Sequence, residues 1–80
     1  MPTQDDTISA KEAFFKAIGT GYRGGIGFSD IEIINDELGK PEIVLSKKAL
    51  EFYKDLKIKK IHVSITHIKD YASANVVIEI

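Results

Sequence analysis

"KIHVSITHIKDYASANVVIEI", Lys60 to Ile80, is the stretch that settles the fold class. Ile61, Val63 and Ile65 alternate with His62, Ser64 and Thr66, so apolar side chains take one side of an extended strand and polar ones the other. Ala72, Ala74, Val76, Ile78 and Ile80 keep the same period of two in a second run. The intervening "IKD" makes a tight connection. Two antiparallel strands follow, each with an apolar face. His62 and His67 are five apart, which on a strand sends them to opposite faces, so they do not share a metal. His67 closes its strand beside a turn. It reads either as a structural histidine or as one placed to meet a ligand.

Working outward, Ser46 is suited to cap a helix in which Ala49, Phe52, Tyr53 and Leu56 share a face. Its other side carries Lys47, Lys48, Glu51, Lys54 and Asp55, which read as a solvated surface. Ahead of it, "DIEIINDELGKPEIVL" alternates through Ile31 and Ile33, turns at "NDELG" and restarts at Pro41. This predicts a hairpin of Asp30–Ile34 against Glu42–Leu45.

The first part of the chain reads "SAKEAFFKAIGTG" from Ser9 to Gly21. Ser9 with Glu12 fits a capping box that opens a helix. Ala10, Phe14, Ala17 and Ile18 form its apolar stripe, and Gly19 is a natural stop. Residues 1–8 read as a disordered leader, which places the domain at residues 9–80. Five of the six glycines lie between Gly19 and Gly27, a loop of unusual backbone freedom. "GTGYRG" matches a dinucleotide fingerprint by letter and fails it by context, because it follows a helix and precedes a strand. Nor is it a Walker loop, since Gly25 and Ile26 stand where Lys and a hydroxyl residue belong. Glu12 and Lys16, four apart, allow two readings. One is an exposed ion pair that steadies the helix. The other is a helix face offering a carboxylate to a hard cation and an ammonium to a phosphate, with the glycine loop beyond.

The totals bound the rest. Eighty residues make one domain, with 11 basic and 12 acidic side chains and no cysteine. A domain of this size hides only roughly 60–65% of its unfolded surface, so its stability margin is thin. Disulfides and thiolate metal sites are excluded. Near-neutral charge gives no electrostatic case for nucleic acid or an anionic membrane. No apolar run approaches the ~20 residues of a membrane helix, and "MPTQDD" is not a secretion signal. A cytoplasmic α+β protein is expected, with two helices and a small antiparallel sheet of about four strands. Such a sheet leaves edges to manage, which hints at assembly.

Four blocks then occur together and in order: "AKEAFFKAIGTG", "FSDIEIINDELGKP", "HVSITH" and "YASANVVIEI". As a set they resemble the 4'-phosphopantetheinyl transferase superfamily, and within it the small bacterial holo-acyl-carrier-protein synthases. The resemblance covers Ser9 to Ile80. It implies transfer of phosphopantetheine from coenzyme A to a serine of an acyl carrier protein, a step in fatty acid biosynthesis and lipid metabolism. It implies magnesium, held by Glu12, which also assists as a base. Lys16 would steady phosphate charge as adenosine bisphosphate leaves. Lys11, Lys16, Gly39, Lys40, Pro41, Ser64 and His67 would bind coenzyme A, and the oligomer would be a homotrimer. Since the nucleophile belongs to the carrier protein, no serine of this chain need be catalytic.

The chain also departs from the family. The family's opening strand of type G-x-D, whose aspartate is a second metal carboxylate, is absent, as are the carrier-docking helices after it. Asp5 and Asp6 lie in a different element. Ile8 and Ser9 replace the usual arginine and aromatic, and Ile68 stands where threonine is common. What remains is a half-domain of the transferase fold. The alternative is a non-catalytic remnant or subunit that keeps the fold, and nucleotide binding, as an interaction module.

Overall fold

The computed structural model describes residues 4–19 and 25–80, with the side chains of residues 4, 5 and 68 outside that description. A helix, α1 (Gln4–Ile18), leads into two hairpins. Strand β1 (Ile31–Asn35) pairs with β2 (Pro41–Leu45), from Ile31 opposite Leu45 to Asn35 opposite Pro41. A short helix, α2 (Lys47–Phe52), and a 3-10 turn (Lys54–Leu56) connect to β3 (Lys60–Ile68), which pairs with β4 (Tyr71–Glu79). Both hairpins are antiparallel. The expected α+β content is present. The strands form two two-stranded sheets, and β2 and β3 run side by side without pairing.

Helix α1 begins at Gln4, five residues ahead of the capping box read at Ser9. Nothing in "QDDTI" breaks a helix, and the Asp6 carboxylate near its start suits the positive end. Ser9 therefore lies inside the helix, where its Oγ donates to the Ala72 carbonyl oxygen at 3.3 Å. Residues 4–8, expected to lie in a disordered leader, are helical. Residues 1–3 lie outside the described residues, as does most of the glycine loop, residues 20–24. Gly19 does end the helix, at φ +77° with its N–H on the Phe15 carbonyl oxygen at 3.1 Å.

The apolar stripe of α1 is rotated from the expected one. Ala10, Phe14 and Phe15 are buried, Ile18 is half-buried and Ala17 is exposed. Two aromatics explain the shift. Phe14 meets Tyr53 edge-on at 5.9 Å, and Phe15 stacks on Phe28 at 5.7 Å, geometries that aromatic pairs favour. The core closes with Ile26, Ile31, Ile33, Ala49 and Tyr53. The inner faces of β3 and β4 are half-buried against it.

Ser46 caps α2 as expected, its Oγ accepting the Ala49 N–H at 3.0 Å. Only Ala49 and Tyr53 of the expected face are buried, while Phe52 and Leu56 are exposed. The helix stops at Phe52 and tightens into the 3-10 turn, so later residues leave the α-helical periodicity. The charged side is solvated, with Lys54 and Glu51 paired at 2.7 Å on the surface.

Candidate functional site

The "NDELGK" turn is built by Asp36. Its Oδ1 accepts the N–H of Leu38 at 2.8 Å and of Lys40 at 2.9 Å, an Asx-type closure. Gly39 sits at φ +81°, a conformation that side-chain-bearing residues rarely adopt. Together these deliver Lys40 and Pro41 to the start of β2. There they line a groove of about 820 Å³ between β2 and β3, along with Ser64 and the apolar Ile43, Ile61 and Val63. Lys59 and Lys60 also line it, as do Asp36 and Glu42. With three lysines against two carboxylates and an apolar share from the isoleucines and Val63, the lining suits an anionic ligand with an apolar part.

The other residues singled out in the sequence lie elsewhere. Gly39 is in the turn but not in the groove lining. Glu12 and Lys16 are exposed on α1, one turn apart. Lys11 is half-buried; its Nζ donates to the Phe28 carbonyl oxygen at 2.8 Å and lies 5.9 Å from the Phe28 ring centre. That contact fixes the helix to the segment after the glycine loop, a structural job beside any ligand role. His67, at the end of β3, meets Asp6 of α1, Nε2 to Oδ1 at 2.5 Å. His62, on the opposite face as its parity requires, reaches Glu79 at 3.3 Å.

A magnesium ion can be tested against these groups. Among the described residues no three His, Cys, Asp or Glu side chains gather into a metal cluster. Magnesium does not need such a cage: it keeps several waters and takes one or two carboxylates plus substrate phosphates. The exposed Glu12 carboxylate fits that demand as a single protein donor. When bound, the ion would neutralise phosphate charge and so ease attack at phosphorus.

Two features escaped the sequence. Asp6, which falls in the expected leader, is buried. Asp30 joins three elements. Its Oδ2 accepts the Gly27 N–H at 3.0 Å, and its Oδ1 accepts the Ser46 hydroxyl at 2.8 Å. The Gly27 bond, then Ser46, hold its carboxyl below the usual carboxylate range; nearby Lys48 adds to this and partial burial opposes it. An S/T/D at a strand end opposite a helix cap is the only signal the sequence carried for it.

Comparison with known proteins agrees with this architecture. Residues 9–76 match the family model described as the 4'-phosphopantetheinyl transferase superfamily. A holo-[acyl-carrier-protein] synthase of Geotalea daltonii is 48% identical over 72 residues, 90% of this chain and 58% of the relative. One from Serratia proteamaculans is 46% identical over 72 residues, again 90% of this chain and 57% of the relative. Among solved structures, the Helicobacter pylori holo-[acyl-carrier-protein] synthase in complex with coenzyme A is similar at TM-score 0.79 and 31% identity, covering 94% of this chain and 63% of that one. The Neisseria meningitidis synthase gives TM-score 0.81 and 40% identity over 88% of this chain and 56% of that one. This chain thus spans less than two thirds of the length of these relatives. No helix among the described residues is long and apolar enough to cross a membrane. A family model matched over most of the chain, and relatives alike in sequence and in fold, place the chain in the 4'-phosphopantetheinyl transferase superfamily.

Proposed function

We propose that this chain binds coenzyme A and forms the larger part of a holo-acyl-carrier-protein synthase that moves 4'-phosphopantetheine onto a carrier-protein serine. The observation that carries the proposal is its likeness to the Helicobacter pylori synthase, a protein solved in complex with coenzyme A, over 94% of this chain. In this reading Lys11, Lys16, Gly39, Lys40, Pro41, Ser64 and His67 bind the nucleotide and its phosphates. Glu12 holds magnesium and helps take the proton from the attacking serine. Lys16 steadies the departing adenosine bisphosphate. The protein works in the cytoplasm as a homotrimer, with an acyl carrier protein as partner.

A second reading has its own support. The chain covers 58% of the Geotalea relative, and one exposed carboxylate, Glu12, stands where the family carries two. A strand of the G-x-D type, supplied from outside these 80 residues, would bring the second. The groove between β2 and β3, bordered by two strand edges that do not pair with each other, is where such a strand would find backbone partners. Without it the chain binds nucleotide and turns over poorly.

Glu12→Gln tests the metal part. The change keeps the side chain's shape and removes the charge a hard cation needs. Glu12 is exposed, so ligand-free stability should hold within about 0.5 kcal/mol. Titration calorimetry should show magnesium-dependent coenzyme A binding weakened. Unchanged binding would make Glu12 a surface residue only.

A further inference from the structure

We infer that Lys59 and Lys60 are phosphate-binding residues which, together with Lys40, hold phosphate oxygens of the ligand in the groove between β2 and β3. The inference rests on the reading above, in which Lys40 and Ser64 meet coenzyme A, and adds two residues to it. All three lysines line that groove. Charge is spread unevenly over the chain. Of its 11 basic side chains six lie between Lys47 and Lys60, beside two of its 12 acidic ones, so the remaining sequence is acidic in balance. The basic stretch ends where β3 enters the groove.

The backbone brings the two lysines there. The 3-10 turn closes at Lys57, whose left-handed φ of +53° redirects the chain. The Lys59 N–H then donates to the Glu79 carbonyl oxygen at 2.7 Å, and Lys60 stands opposite Glu79 at the start of the β3–β4 ladder. Successive strand residues point to opposite faces. Lys60 through Ile65 all line the groove, so it runs along the edge of β3 and is open to both faces. Ile61, Val63 and Ile65 supply its half-buried apolar side, and Lys60, His62 and Ser64 its exposed polar side. Lys60 and Ser64 are four apart in that polar row, about 13 Å along the strand. Such a spacing suits a ligand with two separated anionic groups and an apolar part.

The state of their ammoniums distinguishes these lysines. Lys11 and Lys48 donate to the carbonyl oxygens of Phe28 and Gly25, and Lys54 pairs with Glu51. Among the described residues, no hydrogen bond or ion pair holds the ammonium of Lys40, Lys59 or Lys60. Of the two carboxylates that line the groove, Asp36 already accepts two N–H groups of its own turn. Glu42 is then the main charge opposing an anion. An ammonium is a compact charge with three donors, and it binds phosphate as a point charge without a fixed orientation.

Calorimetry and amide spectra of the full chain test the inference. Inorganic pyrophosphate and coenzyme A are titrated into the wild type and into Lys59→Gln, Lys60→Gln, Glu42→Gln and Lys47→Gln. Lys47 is exposed on α2 and outside the groove lining, so it controls for net charge alone. Lys59→Gln and Lys60→Gln should each weaken coenzyme A binding about two- to fivefold, the range of an exposed charge pair. Glu42→Gln should tighten it by a similar factor, and Lys47→Gln should leave it unchanged. An arm with 3'-dephospho-coenzyme A supports the inference either way: lost sensitivity to the two lysines puts them on the ribose phosphate, and kept sensitivity puts them on the pyrophosphate. In wild-type spectra the amide signals of Lys59 to Ser64 should move with coenzyme A; saturable binding that leaves them in place would overturn the inference without any variant. Binding indifferent to both lysines would overturn it too and leave the coenzyme A reading intact. An equal loss in Lys47→Gln would reduce the effect to bulk charge and refute the site. Lysine-dependent binding of pyrophosphate without binding of coenzyme A would keep the phosphate site and end the coenzyme A reading; binding of neither would end both.

Discussion

At the scale of single residues, Asp30 is the clearest dependence of the fold on charge. Its carboxylate binds Gly27 and Ser46, and Ser46 in turn caps α2. Its pKa is lowered from 3.8, chiefly by the Gly27 N–H and the Ser46 hydroxyl. A depressed folded-state pKa contributes stability that is present above the unfolded value and is lost as pH falls through the folded one. Stability should therefore drop as pH is lowered below about 4, and Asp30→Asn should flatten that part of the profile in denaturant titrations. Ser46→Ala removes the cap and should cost about 1 kcal/mol, shifting Tm by about 4–8 °C for a domain of this size. The sequence made the Ser46 cap legible because a cap is a local pattern. Asp30 was hidden because its partners lie 3 and 16 positions away and only the folded chain brings them together. Ser9 shows the opposite failure. S-x-x-E is a real capping signature, but it cannot tell that the chain upstream is already helical.

At the scale of elements, the period of two in β3 and β4 carried further than the period of 3.6 in the helices. Nine-residue strands give several repeats of an alternating face, and their register followed. The six-residue α2 gives fewer than two turns, too few to fix which of Ala49, Phe52, Tyr53 and Leu56 face inward. In α1 two adjacent phenylalanines fit either of two stripes, and packing against Tyr53 and Phe28 chose between them. Substitution should expose the difference. Phe14→Ala empties a fully buried position between α1 and Tyr53 and should cost about 3–5 kcal/mol. In a small domain that is most of the folding free energy, so circular dichroism should show a largely unfolded chain at 37 °C. Phe52→Ala, at a site 42% exposed, should leave the melting curve nearly in place. A reversed ranking would mean that the core is not centred on α1.

At the scale of the whole molecule, the α+β class and the strand order were readable, because each hairpin is local. That the hairpins form two sheets was not, since no periodicity records whether β2 reaches hydrogen-bonding distance of β3. The candidate site divides along the same seam. Lys40, Pro41 and Ser64 meet in the groove between hairpins, while Glu12, Lys16 and His67 belong to α1 and the far end of β3. Four strands in two sheets leave apolar side chains such as Val77, Ile80 and Tyr71 exposed. Self-association through the final strands should cover them, and sedimentation velocity at micromolar concentration should find a trimer; a folded monomer alone would reject the assembly. The central claim is that ligand binding and turnover come apart in this chain. Coenzyme A at a hundredfold over its Kd should stabilise the fold by about 2.7 kcal/mol. Transfer should be slow, because each ~1.4 kcal/mol lost from the transition state costs tenfold in rate. The measurement that tests this most directly is a coenzyme A thermal-shift titration run beside a mass-spectrometric assay of transfer to an acyl carrier protein. A saturable rise in Tm with little or no modified carrier is the predicted result; no rise in Tm, or rapid modification by this chain alone, would contradict it.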